Sequence, residues 1–163
     1  MKQIKLGLIG AGERGANCYA PYALKYPAEV KFVCVVERMD SRREAFANAH
    51  HIPEEDCFDD WHALLDKGYD LDGVIIATQD QEHYEPAMAA IDKGYNILLE
   101  KPMAETAEKT RRIVEAAKEK GTFLMVCHVL RHTPYFRAIK QAIDEGILAL
   151  CPQLCKRQLE ERG

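Results

Sequence analysis

Short apolar runs alternate along this chain with segments of helical pattern. Each run is continuously apolar and rich in Val, Ile and Leu, as is typical of parallel strands covered on both faces. The predicted strands are residues 4–9, 30–36, 73–77, 95–99 and 122–126, and the predicted helices are 40–50, 61–67, about 86–93 and 106–120. This alternation predicts an α/β fold, a doubly wound parallel sheet of the Rossmann type that binds its ligand at the carboxyl ends of the strands.

A few residues mark where the predicted helices begin or bend. Pro86 lies near the start of its helix, a position that suits proline. Thr106 is placed to cap the helix at 106–120, and the pair at residues 59–60, both Asp, is placed to cap the one at 61–67. Pro21 falls inside the first helix, so we expect that helix to be shortened or kinked.

The turn after the first strand reads Gly-Ala-Gly-Glu-Arg-Gly, a Gly-x-Gly-x-x-Gly pattern between a strand and a helix. In that context the pattern predicts a dinucleotide-binding turn. Gly10 permits the tight turn, Gly12 lets the backbone approach a pyrophosphate, and Gly15 lets the helix pack against the strand. Glu37 ends the second strand, where a carboxylate accepts ribose hydroxyls and favours NAD over NADP. Its neighbour Arg38 can pair with a 2′-phosphate or stack beside the adenine.

Polar residues also follow the later strands, as at 78–80, 100–102 and 128–131. Because the carboxyl ends of parallel strands meet at one edge of a sheet, these residues should lie close together. Lys101 follows the apolar run at 97–99, near the nicotinamide end of a bound dinucleotide. Burial or nearby charge can tune a lysine there for proton exchange with a substrate hydroxyl, and Pro102 stiffens the turn that directs it.

At these residues the chain resembles the Gfo/Idh/MocA family, the oxidoreductases related to glucose–fructose oxidoreductase and inositol dehydrogenase. The resemblance runs from about residue 4 to about residue 146. It rests on Gly-Ala-Gly-Glu-Arg-Gly at 10–15, Ala-Thr-Gln-Asp-x-x-His at 77–83, Glu-Lys-Pro at 100–102 and His-Val-Leu-Arg-His-Thr-Pro at 128–134.

The resemblance implies roles for individual residues. Lys101 would place and protonate the substrate oxygen and is the predicted catalytic residue. Glu100 and Thr78 would line the cofactor groove, and Arg131 would lie near the active site. His83 is expected at a helix start, where its side chain can serve backbone N–H groups. The complete predicted cofactor-binding set is Gly10, Gly12, Glu13, Arg14, Gly15, Glu37, Arg38, Thr78, Gln79, His83, Glu100, Lys101 and Arg131.

The resemblance also implies a division of the chain. Family members continue from a helix at about 134–145 into a second domain of comparable size, which carries the substrate pocket. Residues 1–146 are therefore expected to form the dinucleotide-binding domain, and residues 147–163 a truncated or aberrant tail without a strand or catalytic motif. We expect such a chain to bind cofactor and to be inactive as an enzyme.

Composition narrows the class of partner. The 163 residues carry a net charge of −4, which gives no electrostatic case for nucleic acid or a membrane surface. No apolar run approaches the ~18 residues that span a bilayer, and the opening strand leaves no room for a signal peptide. A cytoplasmic location and six reduced cysteines are expected. His128 and His132 lack the further ligands that a metal site needs, so no metal is expected.

Three functions stay open at this point. They are an NAD-dependent dehydrogenase domain acting on a sugar or polyol hydroxyl, a non-catalytic dinucleotide-binding sensor or interaction protein, and a domain that binds CoA or another nucleotide. Glu37 favours a free ribose diol over CoA, and the Glu-Lys-Pro motif favours a dehydrogenase.

Apolar residues at 126–130 and 147–150 lack cover within the chain, so a homodimer or larger assembly is expected. The polar tail beyond Pro152 should be disordered or a short helix.

Overall fold

The computed structural model describes residues 2–147, and within them lies a six-stranded sheet. Its strands are β1 (Ile4–Ile9), β2 (Val30–Val36), β3 (Cys57–Phe58), β4 (Gly73–Ile76), β5 (Ile97–Leu99) and β6 (Leu124–Val126). Their order is β3-β2-β1-β4-β5-β6, and every neighbouring pair is parallel. This is the order of a doubly wound dinucleotide-binding sheet, with its switch point between β1 and β4. The predicted fold class is confirmed.

The helices of residues 2–127 pack on both faces of the sheet. They are α1 (Pro21–Lys25), α2 (Asp40–His50), α3 (Trp61–Lys67), α4 (Tyr84–Asp92) and α5 (Ala107–Lys120). Successive strand residues point to opposite faces. Leu8 accordingly joins a buried cluster with residues of α1 and α2, and Ile9 joins one with residues of α3, α4 and α5. Burial on both faces explains why the strands are continuously apolar.

Most predicted elements form close to their predicted bounds. β1, β2, α2 and α3 match residue for residue, and the other strands are shorter by one or two residues. Both predicted caps are present. The hydroxyl of Thr106 accepts the Lys109 N–H at 3.2 Å, and a carboxylate oxygen of Asp60 accepts the His62 N–H at 2.7 Å. The pattern did not predict β3, because two residues are too few for a periodic signal.

The chain between β1 and β2 is helical in two parts. Residues Glu13–Tyr19 form a π-helix, in which the Ala20 N–H donates to the Gly15 carbonyl at 3.1 Å. A separate α-helix begins at Pro21. Proline has no N–H for the preceding turn, and its ring crowds the carbonyl four residues earlier. The interruption predicted at Pro21 is confirmed.

Residues 128–163 form a second compact unit, of which the structure describes 128–147. It contains a 3₁₀ turn at Val129–His132 and the helix α6 (Pro134–Asp144), none of whose residues is buried. The domain boundary expected at residue 146 stays a prediction. Apart from Ile147, the predicted tail at 147–163 lies outside the described residues, as do Cys151 and Cys155 and the disorder expected beyond Pro152.

The part of the chain that the structure describes contains four cysteines, all unpaired: Cys18, Cys34, Cys57 and Cys127. Burial raises the pKa of the Cys34 thiol to about 12, so this side chain behaves as a small apolar group. Among residues 2–147 no helix is long and apolar enough to cross a membrane. The same residues contain no group of three or more His, Cys, Asp or Glu side chains that could hold a metal ion.

Candidate functional site

A cavity of about 260 Å³ opens at the carboxyl ends of β1, β2 and β4, beside the switch point of the sheet. Open α/β sheets bind their ligands at this place. We call this cavity the groove. It is lined by Ile9, Gly10, Gly12, Val36, Glu37, Arg38, Met39, Arg42, Asp59, Asp60, Trp61, Ala77, Thr78, Gln79 and Glu82. Of the predicted cofactor-binding set, it therefore brings together Gly10, Gly12, Glu37, Arg38, Thr78 and Gln79.

The three glycines of the first turn meet different surroundings. Gly10 has a φ of +96°, and a Cβ there would lie 2.6 Å from the carbonyl oxygen of Ala77. A Cβ at Gly15 would overlap the Gly10 carbonyl, so the helix approaches the strand only because this residue is glycine. At Gly12 the nearest atom to such a Cβ is Nη1 of Arg42, 3.9 Å away. The free space at Gly12 is what a pyrophosphate needs to reach the backbone.

The carboxylate of Glu37 is held by two backbone amides. Its Oε2 accepts the Ala11 N–H at 3.0 Å, and its Oε1 accepts the Met39 N–H at 3.1 Å. Each carboxylate oxygen has two acceptor sites, so both keep capacity for a further donor. Glu37 therefore presents two fixed acceptors in the groove, an arrangement that suits the two hydroxyls of a ribose.

Arg38 is joined to the turn after β4. Its Nη1 lies 2.6 Å from Oε1 of Glu82, which belongs to the 3₁₀ turn Asp80–Glu82. The hydroxyl of Thr78 donates to the main-chain carbonyl of Glu82 at 3.3 Å and so fixes the same turn. Gln79 is exposed at the edge of the groove. The ends of β2 and β4 are thus connected across the groove by one ion pair.

Glu100 connects the Gly-rich helix to the turn after β5. Its carboxylate, in a residue only 5% exposed, accepts hydrogen bonds from the Tyr19 hydroxyl and from the Lys101 N–H, the latter at 2.9 Å. The Nε of Arg14 lies 3.6 Å away. Burial raises the pKa of Tyr19, and its hydrogen bonds with Cys127 and Glu100 raise it further, so the phenol stays protonated and donates.

Lys101 is exposed on the described part of the chain. The turn that carries it is fixed from behind by His83, which is fully buried. The two ring nitrogens of His83 lie 2.7 Å from the Pro102 carbonyl oxygen and 3.2 Å from that of Thr78.

The position of His83 corrects one sequence-based expectation. Its ring faces carbonyl oxygens rather than the backbone N–H groups that it was expected to serve. Its side chain is also excluded from the surface, and His83 is not among the groove-lining residues. The ring thus lies between the Thr78 and Pro102 carbonyls, and a role of His83 in cofactor binding stays a prediction.

Six further members of the predicted set do not line the groove: Gly15, Glu100 and Lys101, described above, and Glu13, Arg14 and Arg131. Glu13 is exposed and accepts a hydrogen bond from the Asn17 amide at 2.6 Å. Arg14 is exposed beside Glu100, with its Nη1 3.8 Å from the Cys18 sulfur. Arg131 lies on the 3₁₀ turn of the second compact unit, and its expected place near the active site stays a prediction.

The structure adds residues that sequence reasoning missed. Met39, Arg42, Trp61 and Glu82 line the groove, and Tyr19 holds Glu100. Arg42 carried a weak signal, since it lies five residues after Glu37 at the start of a helix that leads away from the site. Glu82 occupies an unspecified position of the motif at 77–83, the others belong to no motif, and only the folded chain brings them to these positions.

The sheet order, the glycine turn and the paired acceptors of Glu37 define a nucleotide-binding domain of the Rossmann class. Residues 4–128 match the family described as an oxidoreductase family with an NAD-binding Rossmann fold, GFO_IDH_MocA. The chain belongs to this family, and the resemblance stated from its motifs is confirmed.

Curated relatives agree with the family. An inositol 2-dehydrogenase of Paracoccus denitrificans is 34% identical over 143 residues, which are 87% of this chain and 42% of that protein. A scyllo-inositol 2-dehydrogenase (NADP⁺) of Bacillus subtilis is 32% identical over 145 residues, 89% of this chain and 38% of that protein. This chain therefore spans about two fifths of the length of either relative.

A solved structure supports the fold. The WlbA dehydrogenase from Bordetella pertussis, crystallised with NADH and UDP-GlcNAcA, superimposes with a TM-score of 0.78 at 25% identity. The match covers 89% of this chain and 40% of that chain. One relative is named for NADP⁺ and this structure contains NADH, so similarity alone does not choose between the two cofactors.

Proposed function

We propose that this chain is the nucleotide-binding part of an NAD-dependent dehydrogenase that acts on a hydroxyl of a sugar or polyol. The observation that carries the proposal is the arrangement at Glu100. This one buried carboxylate holds both the Gly-rich helix, through Tyr19, and the turn that presents Lys101. The lysine is thereby set at a fixed place relative to the site of the cofactor phosphates. The inositol dehydrogenases among the relatives support a polyol-type substrate.

The groove residues fit a dinucleotide by their chemistry. The free side of Gly12 admits the pyrophosphate to the first amides of the helix. Glu37 accepts the two hydroxyls of the adenosine ribose. A bound nicotinamide supplies the hydride acceptor or donor, and the protein holds and moves the proton at Nζ of Lys101.

The preference for NAD is tested by calorimetric titration of the chain with NAD⁺ and NADP⁺. A 2′-phosphate would meet the negative charge of Glu37, so NAD⁺ should bind about tenfold more tightly, equivalent to about 1.4 kcal/mol. Glu37→Ser should narrow that gap. Glu44→Ser, which removes an exposed carboxylate of α2 outside the groove, should leave it unchanged. Tighter binding of NADP⁺ by the unaltered chain would contradict the proposed preference.

A second candidate function is dinucleotide binding without catalysis, as in a cofactor sensor or interaction module. The exposure of Lys101 favours it, because hydride transfer needs a substrate held at near-attack distance beside the nicotinamide. The pure 163-residue chain should therefore bind NAD⁺ and reduce it slowly or not at all with inositol or glucose. Steady NADH production that Lys101→Ala abolishes would establish the dehydrogenase and exclude the second candidate.

We also propose a homodimer or larger assembly and a cytoplasmic location. Within residues 2–147, β6 is an edge strand of the sheet, and the apolar side chains of Met125 in it and of Phe123 just before it are exposed. Unpaired strand edges with apolar side chains favour association. The unpaired cysteines of the described residues support a reducing compartment.

A further inference from the structure

Four carboxylates line the groove, from Glu37, Asp59, Asp60 and Glu82, and only Glu37 directly follows β2. Glu37 is the expected one. Glu82 comes from the turn after β4, and its Oε1 lies 2.6 Å from Nη1 of Arg38. The Glu82 side chain is 33% exposed, whereas that of Arg38 is 73% exposed. The ion pair therefore ties a largely exposed guanidinium to a partly buried carboxylate on the turn after β4.

The backbone of Glu82 is held by two hydrogen bonds of its own turn. Its N–H donates to the Gln79 carbonyl at 2.8 Å, and its carbonyl accepts the Thr78 hydroxyl at 3.3 Å. Both contacts lie within the short turn at the end of β4. The carboxylate is consequently presented to Arg38 from a rigid base.

The other arginines near Glu37 have different surroundings. Arg43 donates to the Glu37 carbonyl and pairs with Asp40, each at 2.6 Å. Arg42 lies on the pyrophosphate side of the groove, near Gly12. Arg38 is thus the arginine placed both directly after Glu37 and under the control of a second carboxylate.

A neighbouring arginine is the group that accommodates the 2′-phosphate of NADP in sheets of this kind. We propose that Glu82 is a second determinant of cofactor choice, because it holds Arg38 and neutralises the charge that a 2′-phosphate would use. The inference rests on the proposed dinucleotide function and extends it. Glu37 repels the 2′-phosphate, and Glu82 keeps Arg38 paired, so that the guanidinium does not bind the phosphate. Removing either one alone leaves the other in force.

This arrangement predicts a non-additive response in the ratio of the NADP⁺ and NAD⁺ dissociation constants. An exposed ion pair is weak, so Glu82→Gln alone should shift the ratio toward NADP⁺ by only about two- to threefold. Glu37→Ser alone should shift it by about tenfold. In the double variant the shift of this ratio should exceed the product of the two single shifts by at least about threefold. Arg38 is then free to bind the 2′-phosphate, and Glu37 no longer repels that phosphate.

The experiment is a titration of the four proteins with NAD⁺ and NADP⁺ at low and high salt, after circular dichroism has shown equal folding. Glu85→Gln, alone and with Glu37→Ser, is the matched control, since it removes an exposed carboxylate just beyond the turn and outside the groove. Adding Arg38→Gln to the double variant should abolish the part of the shift toward NADP⁺ that exceeds the product of the single shifts. High salt should reduce that excess in the double variant.

The outcomes separate the inference from the proposed function. If the unaltered chain binds neither dinucleotide, both are overturned. If it binds NAD⁺ but Glu82→Gln shifts the ratio no more than Glu85→Gln in either background, the dinucleotide function stands and the role of Glu82 is overturned. A purely multiplicative double variant would also overturn it, because the two carboxylates would then act independently.

Discussion

Glu100 shows how much of the site depends on one side chain. A buried carboxylate is stable only when hydrogen-bond donors or positive charges surround it. Here the donors come from the Gly-rich helix and from the backbone of Lys101, so satisfying one charge also orients two segments of the site. Loss of a donor should therefore affect both stability and cofactor binding.

Tyr19→Phe removes one donor and keeps the aromatic ring. We expect the free energy of unfolding to fall by about 1.5–3 kcal/mol, the range for a hydrogen bond to a charged group. NAD⁺ affinity should fall as well, because the helix and the Lys101 turn then remain connected only through Arg14. Urea denaturation and calorimetric titration measure the two effects. Tyr22→Phe, which removes an exposed hydrogen bond to Glu29, is the control and should cost less than about 0.5 kcal/mol.

His50 gives the fold a dependence on pH. Its ring stacks on Phe46 at a centroid distance of 4.3 Å and meets Phe32 edge-on at 5.2 Å. Burial lowers the pKa of His50 from its ordinary 6.5, and His51 lowers it further. The folded state therefore binds this proton less readily than the unfolded chain.

Well above pH 6.5, His50 is therefore neutral in both states and does not lower the free energy of unfolding. The free energy of unfolding falls as the pH drops through and below 6.5, because the unfolded chain then takes up the proton more readily. Urea midpoints measured from about pH 7.5 to about pH 5 should show this slope. His50→Phe should remove most of it, while His51→Asn should keep most of it. Identical slopes in the parent and in His50→Phe would show that other groups cause the dependence.

At the residue scale, sequence reasoning could propose roles for side chains that belong to a local sequence motif. Glu37 and Lys101 were predicted as site residues because each lies within two residues of the end of an apolar strand. Tyr19 could not be found, since its partner Glu100 is 81 residues away and the contact depends on the π-helical turn. His83 was placed in the right segment, but its burial against two carbonyls has no signature in the sequence.

At the scale of elements, the capped helix α5 offers the sharpest test. Thr106→Ala deletes the side-chain acceptor for the Lys109 N–H, and the free energy of unfolding should fall by about 1 kcal/mol. Thr110→Ala lies inside the same helix, where alanine is the better helix former, and should leave stability equal or slightly higher. Thermal or urea unfolding compares the two. A similar loss in both would mean that the cap contributes nothing particular.

The elements that sequence reasoning predicted well are those with a clear period or clear end signals. β1 and β2 are long apolar runs, and α5 has both a capping residue and a terminal glycine. β3 was missed because it consists of two residues that pair with the end of β2 only in the assembled sheet. The interruption at Pro21 was predicted, whereas the π-helix at Glu13–Tyr19 that precedes it was not.

At the scale of the whole molecule, strand alternation was enough to predict where the site lies. It was not enough to predict the walls of the groove. Arg42, Trp61 and Glu82 come from three separate segments that the sheet order brings together. Their positions follow from loop paths, which have no periodicity to interpret.

Association through the β6 edge is the prediction that belongs to this scale. Light scattering should show a dimer or larger assembly, and Met125→Lys should shift it toward monomer by placing a charge on the edge. Leu24→Lys removes an equally exposed apolar side chain from α1 and should leave the mass unchanged. A monomer at all concentrations in the parent chain would contradict the expected assembly.

Trp61 lines the groove, with its ring stacked on His62 at 3.5 Å, and it is the one tryptophan of the chain. All indole fluorescence of the protein therefore originates at the wall where the adenosine half of a dinucleotide would lie. Reduced nicotinamide absorbs at the wavelengths where indole emits. Bound NADH would therefore quench the indole emission by energy transfer and would itself fluoresce. NAD⁺ would change the signal only through contact. Comparing the NAD⁺ and NADH titrations therefore distinguishes adenosine binding beside Trp61 from the distance between Trp61 and the nicotinamide, and the protein needs no added label.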